Sequence, residues 1–314
     1  MQPLQLGFPG KILLTGGYCI LHPQFSGLVL TTSNKFEATV TRNSNSGDSI
    51  VIWSKLYNKE YVIDSNNCNT CHPFIDAAFK VIYLLYPDIE LCGGRIDVMG
   101  SDLFIKGTTK TGLGSSAAFT ACIVTGIAYI QRLELPHHVL HNICQLVHFI
   151  GQNKVGSGFD VAAMFYGSGI FSNTLSQLRR LATEIMCCTE AVNANEIIST
   201  EYSPISCFDS PFPFSVYLLD VKDGPTHTDT RINVRAFKEF MTAEHDECMC
   251  LLSEINQNNQ NFVEAIKAQC VTSLHSLAIR DAYRRLGERI NLPIIPEDRR
   301  SLLNSIENHD SIPT

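Results

Sequence analysis

The 314-residue sequence has no excess of basic charge: its net charge is −7 and its pI is near 5.8. That balance argues against nucleic acid as the main partner. No apolar run is long enough to cross a bilayer. The longest, Ala117 to Ile130, falls short of roughly 18 residues and contains Thr and Gly. The start, Met1-Gln2-Pro3-Leu4-Gln5, has no basic character, and the first apolar run is broken by glycines, so no targeting segment is read. The end, Ser311-Ile312-Pro313-Thr314, is not a peroxisomal address. These absences predict a cytoplasmic protein with no membrane attachment. Internal repeats and low-complexity blocks are also missing.

Metal cages are equally scarce. Of the twelve cysteines, Cys187-Cys188 and Cys248-Met249-Cys250 lack companion ligands at zinc spacing. Without an export signal the thiols are expected to be reduced. Cys68-Asn69-Thr70-Cys71-His72 fits the haem-attachment pattern, but that chemistry requires export, so the match is set aside. His137, His138 and His141 are expected on a solvated helix face.

What is present is a glycine turn. Lys110-Thr111-Gly112-Leu113-Gly114-Ser115-Ser116-Ala117-Ala118 packs two glycines and two hydroxyls together, then runs into an apolar segment of helical composition ending at Ile130. A glycine turn at a helix start frees consecutive N–H groups to point at one spot, and the helix dipole makes that spot anion-seeking. Ser115 and Ser116 add hydroxyls suited to a phosphate or Mg²⁺. It is not a Walker A loop, because no Lys-Ser/Thr follows the second glycine at the required spacing. The bland alternative is a turn that caps a buried helix.

Periodicity organises the rest of the chain. Strands are expected at Leu28 to Val40, Ser49 to Trp53, Gly94 to Met99, Gly169 to Phe171 and Val216 to Val221. Helices are expected at Phe74 to Tyr86, Val139 to Ile150 and from about Asp160. Between Leu178 and Phe214 the pattern weakens and prolines accumulate, which suggests a domain junction. Two further helices, Asn233 to Gln257 and Asn261 to Arg289, are expected on either side of a polar Asn/Gln-rich connection. Length favours two domains over one.

Two more segments sharpen the reading: Pro9-Gly10-Lys11-Ile12-Leu13-Leu14-Thr15-Gly16-Gly17-Tyr18, and Lys154-Val155-Gly156-Ser157-Gly158-Phe159-Asp160-Val161-Ala162-Ala163. Together with the Gly-Leu-Gly-Ser-Ser-Ala loop they resemble the GHMP small-molecule kinases, and within that family most closely the fungal- and plant-type phosphomevalonate kinases. The resemblance extends over nearly the whole chain. It implies an α+β fold of two domains. Residues 1–205 would form an ATP-binding domain like the second domain of ribosomal protein S5, and residues 206–314 an incomplete ferredoxin-like domain. The family's third motif, a Gly-x-Gly-Gly turn near the C-terminus, has no counterpart here.

The resemblance also implies roles. ATP phosphates would lie on Lys110, Gly112, Leu113, Gly114, Ser115 and Ser116, with Ser116 contributing to Mg²⁺. Mevalonate kinases carry a glutamate upstream of the aspartate motif, but here that stretch reads His148-Phe149-Ile150-Gly151-Gln152 and offers no carboxylate, so the second metal ligand is unassigned. Lys11 and Asp160 would face the transferring phosphoryl group. Lys154, Ser157 and Thr230 are the expected contacts to phosphomevalonate, with Lys222 helping to screen charge. A phosphate acceptor, with a second pKa of about 6, is largely ionised at neutral pH. Asp160 is then expected to orient Lys11 or a metal rather than take a proton. The expected activity is phosphorylation of 5-phosphomevalonate by ATP, in a monomer or homodimer. The alternatives are mevalonate kinase, or a catalytically impaired GHMP-fold protein that only binds ligand or a partner.

Overall fold

The computed structural model describes residues 2–43, 49–64, 69–106, 109–154, 156–187, 194–208, 215–216, 227–295 and 301, with backbone alone at 105–106, 109–110, 194 and 227–231. In chain order the elements are β1 (Leu4–Thr15), β2 (Ser26–Arg42), β3 (Ser49–Ser54), β4 (Lys59–Asp64), α1 (Pro73–Leu85), β5 (Gly94–Gly100), β6 (Ile105–Lys106), β7 (Thr109–Lys110), α2 (Ser115–Ile130), α3 (His137–Gly151), α4 (Phe159–Tyr166), β8 (Gly169–Ser172), α5 (Ser176–Cys187), α6 (Ala194–Ser199), β9 (Ile205–Cys207), α7 (His227–Ala243), α8 (His245–Lys267) and α9 (Ser273–Arg289). The fold is α+β with two compact units. One comprises residues 1–12, 29–169 and 173–207; the other comprises 13–28, 170–172 and 208–314.

The first unit is built on a mixed sheet in the order β4-β3-β5-β2-β8-β9, with β1 on β2. β3 and β4 form an antiparallel hairpin, and β3 runs parallel to β5. A parallel pair needs a long crossover, which α1 supplies between β4 and β5. Alternation in β3, with Ile50 and Ile52 fully buried, turns one face towards the helices. α2 is apolar on nearly all sides, as suits a helix enclosed by others. α3 packs against α1, α2, α4 and α5.

Two expectations about this unit need correction. The stretch from Leu178 does not lose its pattern: Leu178, Leu181, Ala182 and Ile185 are buried at i, i+3, i+4 and i+7 on α5, which packs on α3. His141 is not solvated. It has no exposed surface, hydrogen-bonds Asn142 Oδ1 through Nδ1 at 3.2 Å, and contacts Phe165 and Tyr166 edge-on. His72 of the haem-like pattern is buried among Tyr57, Tyr61, Phe74 and Phe119. Cys68 lies outside the described residues.

The second unit's core joins Cys19 and Phe25 to Phe237, Phe240, Cys248, Leu252, Ile255, Ala282, Leu286 and Ile290. Its helices differ from the sequence expectation. The break falls at Glu244, and α8 runs unbroken through Asn256–Asn261. Leu252, Ile255, Phe262, Val263 and Ile266 keep helical spacing across the polar run and are buried. Their packing outweighs the weak helix propensity of asparagine, a few tenths of a kcal/mol per residue by order of magnitude. α9 opens with a capping box between Thr272 and His275. The strand expected at Val216 to Val221 lies almost wholly outside the described residues.

Candidate active site

The glycine turn is fixed at its stem before it reaches α2. Thr111 donates its backbone N–H to the Phe104 carbonyl at 3.1 Å and its hydroxyl to the Leu103 carbonyl at 2.6 Å. Phe104 is itself locked edge-on against Phe36 in the core. Gly114 then sits at the N-cap of α2 with φ 86°, a left-handed conformation. No side chain caps this end, so the first N–H groups of a sixteen-residue helix remain available to a ligand.

Lys11 lies directly against this turn. Its backbone N–H bonds the Leu113 carbonyl at 3.1 Å, clipping β1 to the loop. Its stem passes so close that a Cβ on Gly114 would sit 3.0 Å from Lys11 Cε and 3.1 Å from Met164 Cε. Gly114→Ala is therefore expected to combine left-handed strain, about 1–2 kcal/mol, with displacement of Lys11. A Cβ on Gly112, also left-handed at φ 83°, would meet nothing within 4 Å. Melting temperature should fall in both alanine variants, but ADP release should fall much further in Gly114→Ala. Equal activities would show that the Lys11 contact is immaterial.

The Lys11 ammonium reaches Asp160 Oδ1 at 2.7 Å and lies 4.5 Å from the centre of the Phe159 ring. Asp160 stands in the first turn of α4, whose N-cap is Gly158 at φ 85°. A Cβ there would clash with Leu175 Cδ1 at 2.6 Å, so glycine is required by both conformation and space. Burial pushes the Asp160 carboxyl up, but the charge and hydrogen bond of Lys11, with the charge of Lys154, outweigh it and hold the carboxyl below its ordinary value. An ionised Asp160 thus keeps Lys11 in place. The arrangement sets a fixed cation and an uncapped helix start beside one another, which suits a polyanion whose charge shifts during reaction.

Ser116 Oγ is also engaged. It lies 3.3 Å from His148 Nε2, and Gln152 Nε2 approaches the same His148 nitrogen at 2.6 Å. The sequence alone missed this contact, although His148 and Gln152 stand four residues apart and so share a helix side. Around the aspartate turn, Gln145 Nε2 donates to the Gly158 carbonyl at 2.7 Å and Arg179 Nη2 to the Ser157 carbonyl at 3.1 Å. Ser157 is buried, whereas Lys154 is exposed. The structure thus gathers Lys11, Gly112 to Ser116, Lys154 and Asp160 in the first unit. The side chains of Lys110 and Thr230 lie outside the described residues, as does Lys222.

Among the described residues, no three His, Cys, Asp or Glu side chains gather to hold a metal. That donor set does not fit an ion caged by protein alone. It fits Mg²⁺ carried mainly on nucleotide phosphates, which needs only one or two protein oxygens; Ser116 Oγ is at hand. Nor is any helix among the described residues long and apolar enough to cross a membrane.

Residues 78–168 match the family model described as the GHMP kinases N terminal domain. Phosphomevalonate kinase of Candida albicans is 29% identical over 306 residues, covering 82% of this chain and 69% of that protein. A phosphomevalonate kinase of Saccharolobus solfataricus is 27% identical, covering 54% of this chain and 49% of its own length. The chain therefore spans between about half and two thirds of these two relatives. Among solved structures, a Lin0012 protein from Listeria innocua superposes with a TM-score of 0.74 at 16% identity, over 98% of this chain and 85% of that one. Streptococcus pneumoniae phosphomevalonate kinase, in complex with phosphomevalonate and AMPPNP, superposes with a TM-score of 0.64 at 15% identity, over 92% and 80%. At such identities the structural likeness speaks for the fold alone.

Proposed function

We propose that the chain transfers the γ-phosphoryl group of ATP to the phosphate of 5-phosphomevalonate, giving ADP and 5-diphosphomevalonate. The observation that carries this reading is the Lys11–Asp160 pair, set at 2.7 Å beside the uncapped start of α2. Relatives named phosphomevalonate kinase support the choice of acceptor.

Phosphoryl transfer needs positioning and charge neutralisation more than covalent chemistry. In this account the N–H groups of Gly112 to Ser116, with Lys110, receive the β- and γ-phosphates. Mg²⁺ bound with the nucleotide neutralises phosphate charge. Lys11 meets the charge that shifts as the γ-phosphoryl group leaves ADP. An oxygen of the acceptor phosphate forms the new P–O bond in line with the bond that breaks. That oxygen is already ionised at neutral pH, so Asp160 needs no proton-accepting role and serves to hold Lys11. Lys154, Ser157 and Thr230 are assigned to the acceptor, where bringing two polyanions together is the main cost.

Rates of ADP release with phosphomevalonate and mevalonate in parallel test this reading. A clear preference in kcat/KM for phosphomevalonate is expected. Equal values or a preference for mevalonate would overturn the acceptor assignment, and no release with either would leave a protein that only binds.

A further inference from the structure

Ser116 is the second residue of α2, and its hydroxyl is not a free rotor. It lies 3.3 Å from His148 Nε2, with Gln152 Nε2 3.5 Å from Ser116 Oγ and 2.6 Å from the same ring nitrogen. His148 is buried, and its ring stacks on Phe74 with centroids 5.9 Å apart and an angle of 18°. The side chain that faces Ser116 is thus held from two sides. With the Gln152 amide donating to Nε2, that nitrogen is an acceptor and the ring proton sits on Nδ1. Nε2 has a single lone pair, so the Ser116 hydroxyl shares it with the Gln152 amide, pointing its proton at His148 and turning its own lone pairs away.

We propose that His148 and Gln152 are positioning residues that fix Ser116 as an oxygen ligand for the cation arriving with the nucleotide. Together they set the polarity of a hydroxyl where this chain has no nearby carboxylate to spare, since Asp160 is taken up by Lys11. A hydroxyl left free could instead donate to a phosphate oxygen, and the two roles differ in their dependence on metal. The inference rests on the ATP-site reading above but not on the identity of the acceptor.

Calorimetric titration of the full chain with Mg·ATP, and separately with ATP in EDTA, distinguishes the roles. His148→Leu, Gln152→Leu and Ser116→Ala are each expected to weaken Mg·ATP binding by between about 2- and 10-fold, the range of one hydrogen bond. Binding of metal-free ATP should be unchanged. In the Ser116→Ala background, His148→Leu should add nothing, because its effect passes through that hydroxyl. An equal loss for metal-free ATP, or additive effects in the double variant, would overturn the proposal. Gln152 is only half-buried, so Gln152→Leu keeps the test available if His148→Leu fails to fold. Wild-type chain that binds Mg·ATP yet releases no ADP would sink the proposed reaction and leave this test standing.

Discussion

Lys11→Met is expected to lower kcat by about 10²–10³ while leaving ATP affinity nearly unchanged. The magnitude is that of removing one preorganised donor from a charge that develops in the transition state. The asymmetry follows from geometry. The ground-state phosphates have the N–H groups of α2 and the turn, none of which Lys11 supplies. Methionine fills much of the same volume beside Gly114, so the loop should keep its shape. The variant also leaves Asp160 without its closest cation, and the carboxyl should then titrate at higher pH than in the wild type, since burial remains and the main opposing charge is gone. Lys11→Arg is a useful companion, because a planar guanidinium cannot replace a compact ammonium in a space this close. Single-turnover rates together with ATP calorimetry separate the two terms. Near wild-type kcat in Lys11→Met would place the lysine away from the chemistry.

Acid should destabilise the first unit well before any carboxylate matters. Burial pulls the pKa of His72 down to about 4, and burial pulls His141 to about 4 as well, from 6.5 in each case. For a histidine with a depressed folded value, the unfolded chain takes up the proton first. The stability is therefore complete above pH 6.5 and is lost as pH falls from there through about 4. Each histidine accounts for roughly 3 kcal/mol by the bottom of that window, a large part of a typical domain's stability. The lowered Asp160 carboxyl acts in the same direction but only below its ordinary value of 3.8, so the two windows separate. Urea melts at pH 7 and pH 5 should show a loss that shrinks by roughly 2 kcal/mol in His72→Leu. A variant with the same acid loss as wild type would show that His72 is not protonated on unfolding.

The motifs were legible in sequence because glycine, lysine and aspartate carry their chemistry at short spacing. The turn at Gly112 to Ser116 and the helix starting near Asp160 needed only local rules: left-handed glycines, then an apolar helical run. The contact between Lys11 and Asp160 spans most of the first unit in sequence, and only the likeness to a known family suggested it. His141 was misjudged because three histidines at helical spacing look polar, and only packing of α3 against α4 turns one of them inward. The Asn/Gln-rich run looked like a connection because propensity was weighed without the apolar residues flanking it on one helix side. Residues 13–28 pack with the second unit, which no linear reading of composition could show: they form a short insertion whose partners, Phe237, Leu252 and Leu286, lie more than two hundred residues away. The hold of His148 and Gln152 on Ser116 is not legible for a related reason: likeness to the family points to a carboxylate in that stretch, and an imidazole and an amide four residues apart carry no ligand signature of their own.

Phosphorus NMR of the full chain with Mg·ATP and 5-phosphomevalonate tests the central claim most directly. If the loop, Lys11 and Asp160 carry phosphoryl transfer to a phosphate, the acceptor's single phosphomonoester signal should give way to two coupled diphosphate signals as ATP converts to ADP. ATP loss without those coupled signals, or an acceptor signal that persists while ATP is stable, would contradict the account.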